Sequence, residues 1–490
     1  MKRSARLFLP LIWMSLLAIT HTTFASTPKA AIGYLVTNND NGPGEPDIAT
    51  FFTIAADGTL SDPMPVTLAG EGIGGGYFAA NRVSVLNNPG SPCVFISEAS
   101  TNTIAGVQAL TQTVAGDFSA SHTDNGADNG IGMVLNGSYL YASFSTSSTI
   151  ATFAVQAGCE LQFLSDISPA GLSGGAPKAM ALYGNLLVVT YGDGSIESFD
   201  ISGGLPVSNG DEQNATGYAS DDFPDGVVIT PDGHYAIFGD DASGAAVEVS
   251  DISSGQLAPT VLYGLPSGLN SNNVLLSPDG TLLYVSNNTS GQVSAAFFDA
   301  ATGTVSGSCT SAELRGFDST FSFLATLATP APTGTGSELY VAEFGQPSAI
   351  GIIQVGSSSG HCTLTEAAGS PVSAPSNGLL SIGVVSTESL GLYSPVPGST
   401  LSSSTATFQW YGPAAATAFQ FEVGSSAGGS QYYQSGTLPA TTLSATVRGL
   451  PSNGRTIYVT LSWLVNGAWV SNAYTYTTGD VRLHIDVPTY

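Results

Sequence analysis

The chain reads as all-β: a seven-bladed β-propeller closed by pairing of its N- and C-terminal strands, followed by a small β-sandwich. Three observations predict this. First, one phrase recurs seven times: an apolar strand, a small-polar turn, a second apolar strand. Its cores are YLVTNN (34–39), VFISEA (94–99), LYASFS (140–145), LVVTYG (187–192), AIFGDD (236–241), LYVSNN (283–288) and LYVAEF (339–344). The starts lie 60, 46, 47, 49, 47 and 56 residues apart, and a strand-only repeat of that period indicates a propeller. Second, 42% apolar residues, 59 glycines, 27 prolines and only 9% charged residues in 490 suit tightly turned sheet rather than disorder. Third, the ends of the array fit each other. The first unit opens on a second-type strand, GYLVTN (33–38), while NGLLSIGVVST (377–387) is a first strand with nothing after it. Pairing the two closes the ring and removes its exposed edges.

Along the chain, residues 1–25 read as a signal peptide. Lys2, Arg3 and Arg6 precede a short apolar run, and Thr23-Phe24-Ala25 forms a small-x-small cleavage site. The run is too short for a comfortable membrane span, and no later segment approaches one. The expected location is secreted or periplasmic. Residues 26–389 form the propeller. In its fifth unit the four strands are GVVIT (226–230), HYAIFGD (234–240), AAVEVSDI (245–252) and PTVLYG (259–264). Thr230-Pro231-Asp232-Gly233 joins the first two, and the sixth unit repeats it as Ser277-Pro278-Asp279-Gly280. Pro presets φ, Asp caps its own backbone and Gly accepts positive φ. The stripe Tyr34, Phe95, Tyr141, Tyr284 and Tyr340 is expected in the blade cores.

After the Pro/Ser-rich entry at 394–404, six strands follow within residues 390–478, the size of an immunoglobulin-like sandwich with Trp410 in its core. Leu450-Pro451 and the following Thr456–Val459 resemble the tyrosine-corner region of fibronectin type III domains. Residues 479–490 read as a tail.

The formal charge is −26. Loss of residues 1–25 leaves seven basic and 36 acidic residues, or −29. Such a surface repels nucleic acid and anionic lipid. The expected partner is a small polar molecule, a glycan or a protein at the propeller face, with the chain a monomer. The four cysteines, Cys93, Cys159, Cys309 and Cys362, allow two disulfides in an oxidising compartment, with three connectivities. Cys309 and Cys362 fall near the start of the outermost strand in successive repeats, which favours pairing them with each other and Cys93 with Cys159.

Ligands of propellers meet the loops leading into the innermost strands. Those loops supply Asn81, Arg82, His122, Asp124, Asp128, Lys178, Asp222, Asp225, Asn273, Asp318 and Asn377. Such a polar ring suits a small polar ligand, and His122 beside Asp124 has the chemistry of a general acid or base. No cofactor is required. Asp221, Asp222 and Asp225 are weak candidates for calcium, since no EF-hand-type loop accompanies them. The G-x-G-x-x-G at 70–75 and the G-x-S-x-G at 171–175 lack the strand–helix setting their chemistry needs.

The units LYVSNNTSGQVSAAFFDAATGTV (283–305) and YLVTNN…DIATFFTIAADGTL (34–60) resemble the YVTN repeat of secreted propellers and of the lactonase-like family, which includes 6-phosphogluconolactonases. The resemblance covers most of residues 31–387. It implies a channel lined by His, Arg and acidic groups that hold an anionic substrate and move a proton. Between 31 and 387 the cations are only Arg82, Lys178 and Arg315, with His122, His234 and His361, so no catalytic set aligns residue by residue. Two readings follow. One is a binding or interaction protein with a polar channel face. The alternative is a lactone hydrolase with His122 as base and Arg82 or Lys178 holding developing negative charge.

Overall fold

In the computed structural model the described residues run from 31 to 479. Breaks fall at 56, 75–80, 89–90, 121–129, 216–223, 241–245, 266–269, 278, 288–289, 311–313, 316–322, 329–337, 346–347, 359–360, 376–377, 386–390, 396–398, 402, 412–415, 441 and 466–467. The signal segment and the tail from 480 lie outside them. Among the described residues every regular element is a strand, and no helix is long and apolar enough to cross a membrane.

Seven antiparallel sheets occupy residues 31–385. Their innermost strands are Leu379–Val385, Val83–Leu86, Ile131–Leu135, Pro177–Tyr183, Pro224–Ile229, Ser271–Leu276 and Phe323–Ala328. Each touches the next, and the seventh touches the first, so the strands form a ring. The ends close as expected: Leu379–Val385 pairs with Ala31–Asn39, from Tyr34↔Val385 to Asn39↔Leu379. The first blade is thus built from both ends of the array. The fourth departs from the four-strand plan, because its outer edge is split into Val207–Ser208 and Gln213–Asn214, both paired with Ser195–Asp200.

The second strand of each blade explains why one phrase is so legible. It is covered on both faces by neighbouring blades, so Cys93–Glu98 and Leu282–Asn287 are buried along their whole length. Continuous apolar runs are what such strands require. The cores accordingly lie between blades: Tyr34 and Val36 of the first pack with Val94, Ile96 and Val107 of the second. All five stripe aromatics are buried. Two of their hydroxyls cross to the next blade, Tyr141 donating to Gly204 O and Tyr340 to Gly58 O, each at 2.9 Å.

The small hydroxyl inside the phrase has its own task. Inner strands shift register near their start, between Pro177 and Met180 and between Ser271 and Val274. A shift strands an amide that the ladder no longer serves. Thr190 Oγ1 accepts the Ala179 N–H, and Ser286 Oγ accepts the Asn273 N–H, each at 3.1 Å. The tight turns also form as read. Thr230 Oγ1 donates to Asp232 Oδ1 at 2.5 Å, and the Gly233 N–H closes onto Thr230 O at 2.8 Å.

Both disulfides join adjacent blades, Cys93 to Cys159 and Cys309 to Cys362. One detail of the expectation is corrected. Cys309 lies near the end, not the start, of its outer strand Thr304–Thr310, because that strand begins at Thr304, directly after the preceding turn.

Beyond the ring, a three-stranded sheet (Gly391–Ser394, Thr405–Tyr411, Ser444–Arg448) and a six-stranded sheet led by Ala418–Gly424, Thr456–Val465 and Ala468–Thr478 share one core. Trp410 is fully buried and stacks on Phe421 at 5.1 Å. The tyrosine reaching back to upstream backbone is Tyr476, whose hydroxyl donates to Pro395 O at 2.9 Å.

Candidate functional site

Alternating strand direction brings two sets of loops to one end of the ring: those entering the innermost strands, and those following the second strands. Between the first and seventh blades these loops enclose a cavity of about 530 Å³, lined by Asp40, Asn41, Gly42, Glu45, Ile73, Gly74, Phe344, Gly345 and Gly378. Its floor is a buried ion pair. Arg82 Nη1 donates to Asp40 Oδ2, and both side chains are closed to solvent. The other oxygen, Asp40 Oδ1, accepts the Ile73 N–H at 2.6 Å and the Gly74 N–H at 3.2 Å.

The pair also sits on the seam that closes the ring. The Asp40 N–H donates to Gly378 O at 2.9 Å, and the Arg82 N–H donates to Ser381 Oγ at 3.2 Å. Gly378 has φ +81°, and a Cβ there would lie 2.2 Å from Asp40 O. Both facts require glycine. Gly378→Ala is therefore expected to cost at least about 1 kcal/mol, read as a lower chemical-denaturation midpoint; an unchanged midpoint would show that the seam is slack.

Around the pair lie more acids than the single guanidinium neutralises. Asp47 accepts the Asn41 N–H at 3.0 Å, and Asn38 Nδ2 donates to Ser97 O at 3.0 Å beside it. Burial, and then the Asp40 charge, hold the Asp47 carboxyl well above the usual range. Burial pushes Glu98 up to about 7, although Thr103 Oγ1 (2.8 Å) and the Gly70 N–H (2.6 Å) donate to it. Burial likewise leaves Asp40 above its ordinary value, with Arg82 and the two amides opposing that rise. With cationic and N–H donors on both oxygens, the carboxylate is the form this geometry serves. In the seventh blade, Glu343 is pushed to about 8 by burial and then by Glu366.

These raised values fix a pH dependence. The folded chain keeps protons that unfolded Glu releases near 4.5. The stability so gained is complete below about 4.5 and is lost as pH rises through 7 to 8. Thermal midpoints should fall between pH 5 and 8.5, at a cost of about 1.4 kcal/mol for each pH unit separating a group's folded and ordinary values. Glu343→Gln should flatten the fall, and a slope equal to wild type would refute the assignment.

The sequence-derived residues distribute unevenly. Arg82 is at the site, but buried as the partner of Asp40 instead of facing a ligand. Asn81 is half-buried just before its strand, its carbonyl accepting the Met133 N–H at 2.9 Å. Lys178 belongs to the inner strand Pro177–Tyr183 of the fourth blade and lines no part of this cavity. Asn273 and Asp225 fall within strands, not loops. Pairing of Ser271 with Asn287 and of Pro224 with Asp240 starts those strands earlier than their composition suggests. His122, Asp124, Asp128, Asp221, Asp222, Asp318 and Asn377 lie outside the described residues. Among the described residues no three His, Cys, Asp or Glu side chains lie close enough to hold a metal ion.

Asp40, Asn41 and Glu45 stand in the turn after the first blade's second strand, Asp47 in the strand Pro46–Ala55 that follows and Phe344 at the end of the seventh blade's second strand, all away from the loops entering inner strands. The signal was present in YLVTNNDNG, where the first phrase runs directly into Asp40 and Asn41.

No protein-family model matches the chain, and no curated protein does. Solved structures do. A candidate 6-phosphogluconolactonase of Bacteroides fragilis is 14% identical, with a TM-score of 0.54 over 72% of this chain and 98% of its own. A second, from Bacteroides uniformis, is 15% identical with a TM-score of 0.52, covering 73% and 100%. The periplasmic gluconolactonase of Pseudomonas aeruginosa is 14% identical with a TM-score of 0.51, again over 73% and 100%. Identities this low speak for architecture alone: the chain has a lactonase-like β-propeller fold.

Proposed function

We propose that this chain is a secreted or periplasmic lactonase-like propeller that binds a small polyhydroxylated molecule, the size of a sugar lactone, between its first and seventh blades. The observation that carries the reading is the cavity of about 530 Å³ lined by Asp40, Asn41, Glu45 and Phe344. Polar groups there can take sugar hydroxyls, and Phe344 supplies an apolar face. The solved structures of like fold include proteins named as acting on gluconolactones. In the hydrolytic form of this reading His122 is the general base, and Arg82 is a positioning residue that holds Asp40. Lys178, which is not among the residues lining the cavity, is left out of this form.

A second reading, a binding protein without turnover, draws on the two-sheet unit after residue 390. The like structures are spanned almost completely by about three quarters of this chain, so that unit lies beyond what a lactonase of this fold needs. A fibronectin type III-like module suits a spacer or adhesion element that presents the propeller to a glycan or protein.

The test is hydrolysis of glucono-1,5-lactone and its 6-phosphate by the full mature chain. Turnover is expected, to be abolished in His122→Ala, with KM raised several-fold in Glu45→Gln. Turnover unchanged in His122→Ala would remove that residue from the mechanism. Saturable sugar binding without turnover would favour the second reading.

A further inference from the structure

Directly after the strand Leu60–Glu71, two successive amides, Ile73 N–H and Gly74 N–H, stand at the cavity wall. Consecutive inward amides form a concavity suited to an anion, and a buried guanidinium beside them completes a strong anion site. That site is filled from within the chain. One Asp40 oxygen takes both amides, and the other takes Arg82. The rim is acidic as well: Glu45 lines the cavity, and Glu71 Oε2 accepts the Gly44 N–H at 2.9 Å nearby. Among the described residues lining the cavity, none is basic.

We propose that Asp40 is a built-in anion occupying this nest, so that the cavity admits uncharged polyhydroxylated ligands and rejects their phosphorylated or carboxylated forms. The inference rests on the binding reading above and names its ligand class. A phosphate arriving at the cavity meets the Asp40 and Glu45 charges and finds its natural donors taken. An uncharged sugar can donate hydroxyl protons to the exposed Glu45 carboxylate.

Two measurements on the full mature chain test it. By saturation-transfer NMR at pH 6, wild type should bind the non-hydrolysable 1,5-anhydroglucitol at least about tenfold more tightly than its 6-phosphate, the scale of one charged hydrogen bond. Equal or stronger binding of the phosphate would overturn the proposal. Separately, inorganic phosphate should raise the thermal midpoint of Asp40→Ala, in which Arg82 and the two amides are uncovered, and leave wild type unmoved. A rise of equal size in wild type would show the nest to be open. If Asp40→Ala does not fold, Asp40→Ser, whose shorter side chain withdraws from the nest, is read the same way. Wild type binding neither sugar would sink the binding reading, while the phosphate response still decides whether the nest is occupied.

Discussion

Arg82→Ala is expected to destabilise the propeller by about 3–5 kcal/mol, the cost of leaving a buried carboxylate without its partner. Asp40 is 1% exposed and its neighbours Asp47 and Glu98 are acids, so among the described residues no other cation acting on Asp40 replaces the one lost. The substitution also removes the side-chain link from the second blade to Asp40 of the first, although the backbone bonds of Arg82 and Asp40 to Ser381 and Gly378 remain. Chemical denaturation followed by fluorescence would show a lower midpoint. In the double variant Arg82→Ala/Asp40→Ala the loss should be smaller than the sum of the single losses, because neither charge is stranded. Additive losses, or an Arg82→Ala midpoint equal to wild type, would contradict the buried pair. One consequence is practical. Lost activity in Arg82→Ala would report a damaged scaffold before it reported chemistry, so His122 and Glu45 are the better probes of turnover.

Removing either disulfide is the second large effect. The cross-links close segments of 66 and 53 residues, for which loop-closure entropy gives about 4 kcal/mol each. They bind the second blade to the third and the sixth to the seventh. The first blade, by contrast, carries no cross-link and is held at the seam by strand pairing, apolar packing and the Arg82–Asp40 pair. Cys93→Ser/Cys159→Ser and Cys309→Ser/Cys362→Ser should each lower the denaturation midpoint, and reduction of wild type should lower it further than either pair. A reductant-insensitive midpoint would argue that sheet packing already confines the chain.

The blades were legible in the sequence because their second strands are buried on both faces, which forces an uninterrupted apolar run at nearly constant spacing. Closure was legible for a related reason: a second-type strand without a first, and a first without a second, leave one economical pairing. The cysteine pairing was expected from the outer strands of successive repeats, although Cys309 stands near the end of its strand and Cys362 near the start of its own. Loop residues gave less. Asp225 and Asn273 look like loop by composition, yet the ladder reaches them, because hydrogen bonding across the inner strands continues through a register shift. Lys178 and Arg82 both stand at the entry to inner strands, yet the first lines no part of the cavity and the second is buried against Asp40.

By itself, then, the sequence determined the strands, their repeat, the ring and its seam, since each follows from local patterning and the need to bury both faces of a strand. Only the tertiary structure decided the site. Asp40, Arg82, Ile73, Gly74 and Gly378 are scattered over more than three hundred positions. Their meeting depends on the curvature that brings the last innermost strand against the first blade. The sequence displays Arg82 as a free cation among polar loops; the fold buries it against Asp40, because burial in a medium of low polarity makes an unpaired charge untenable.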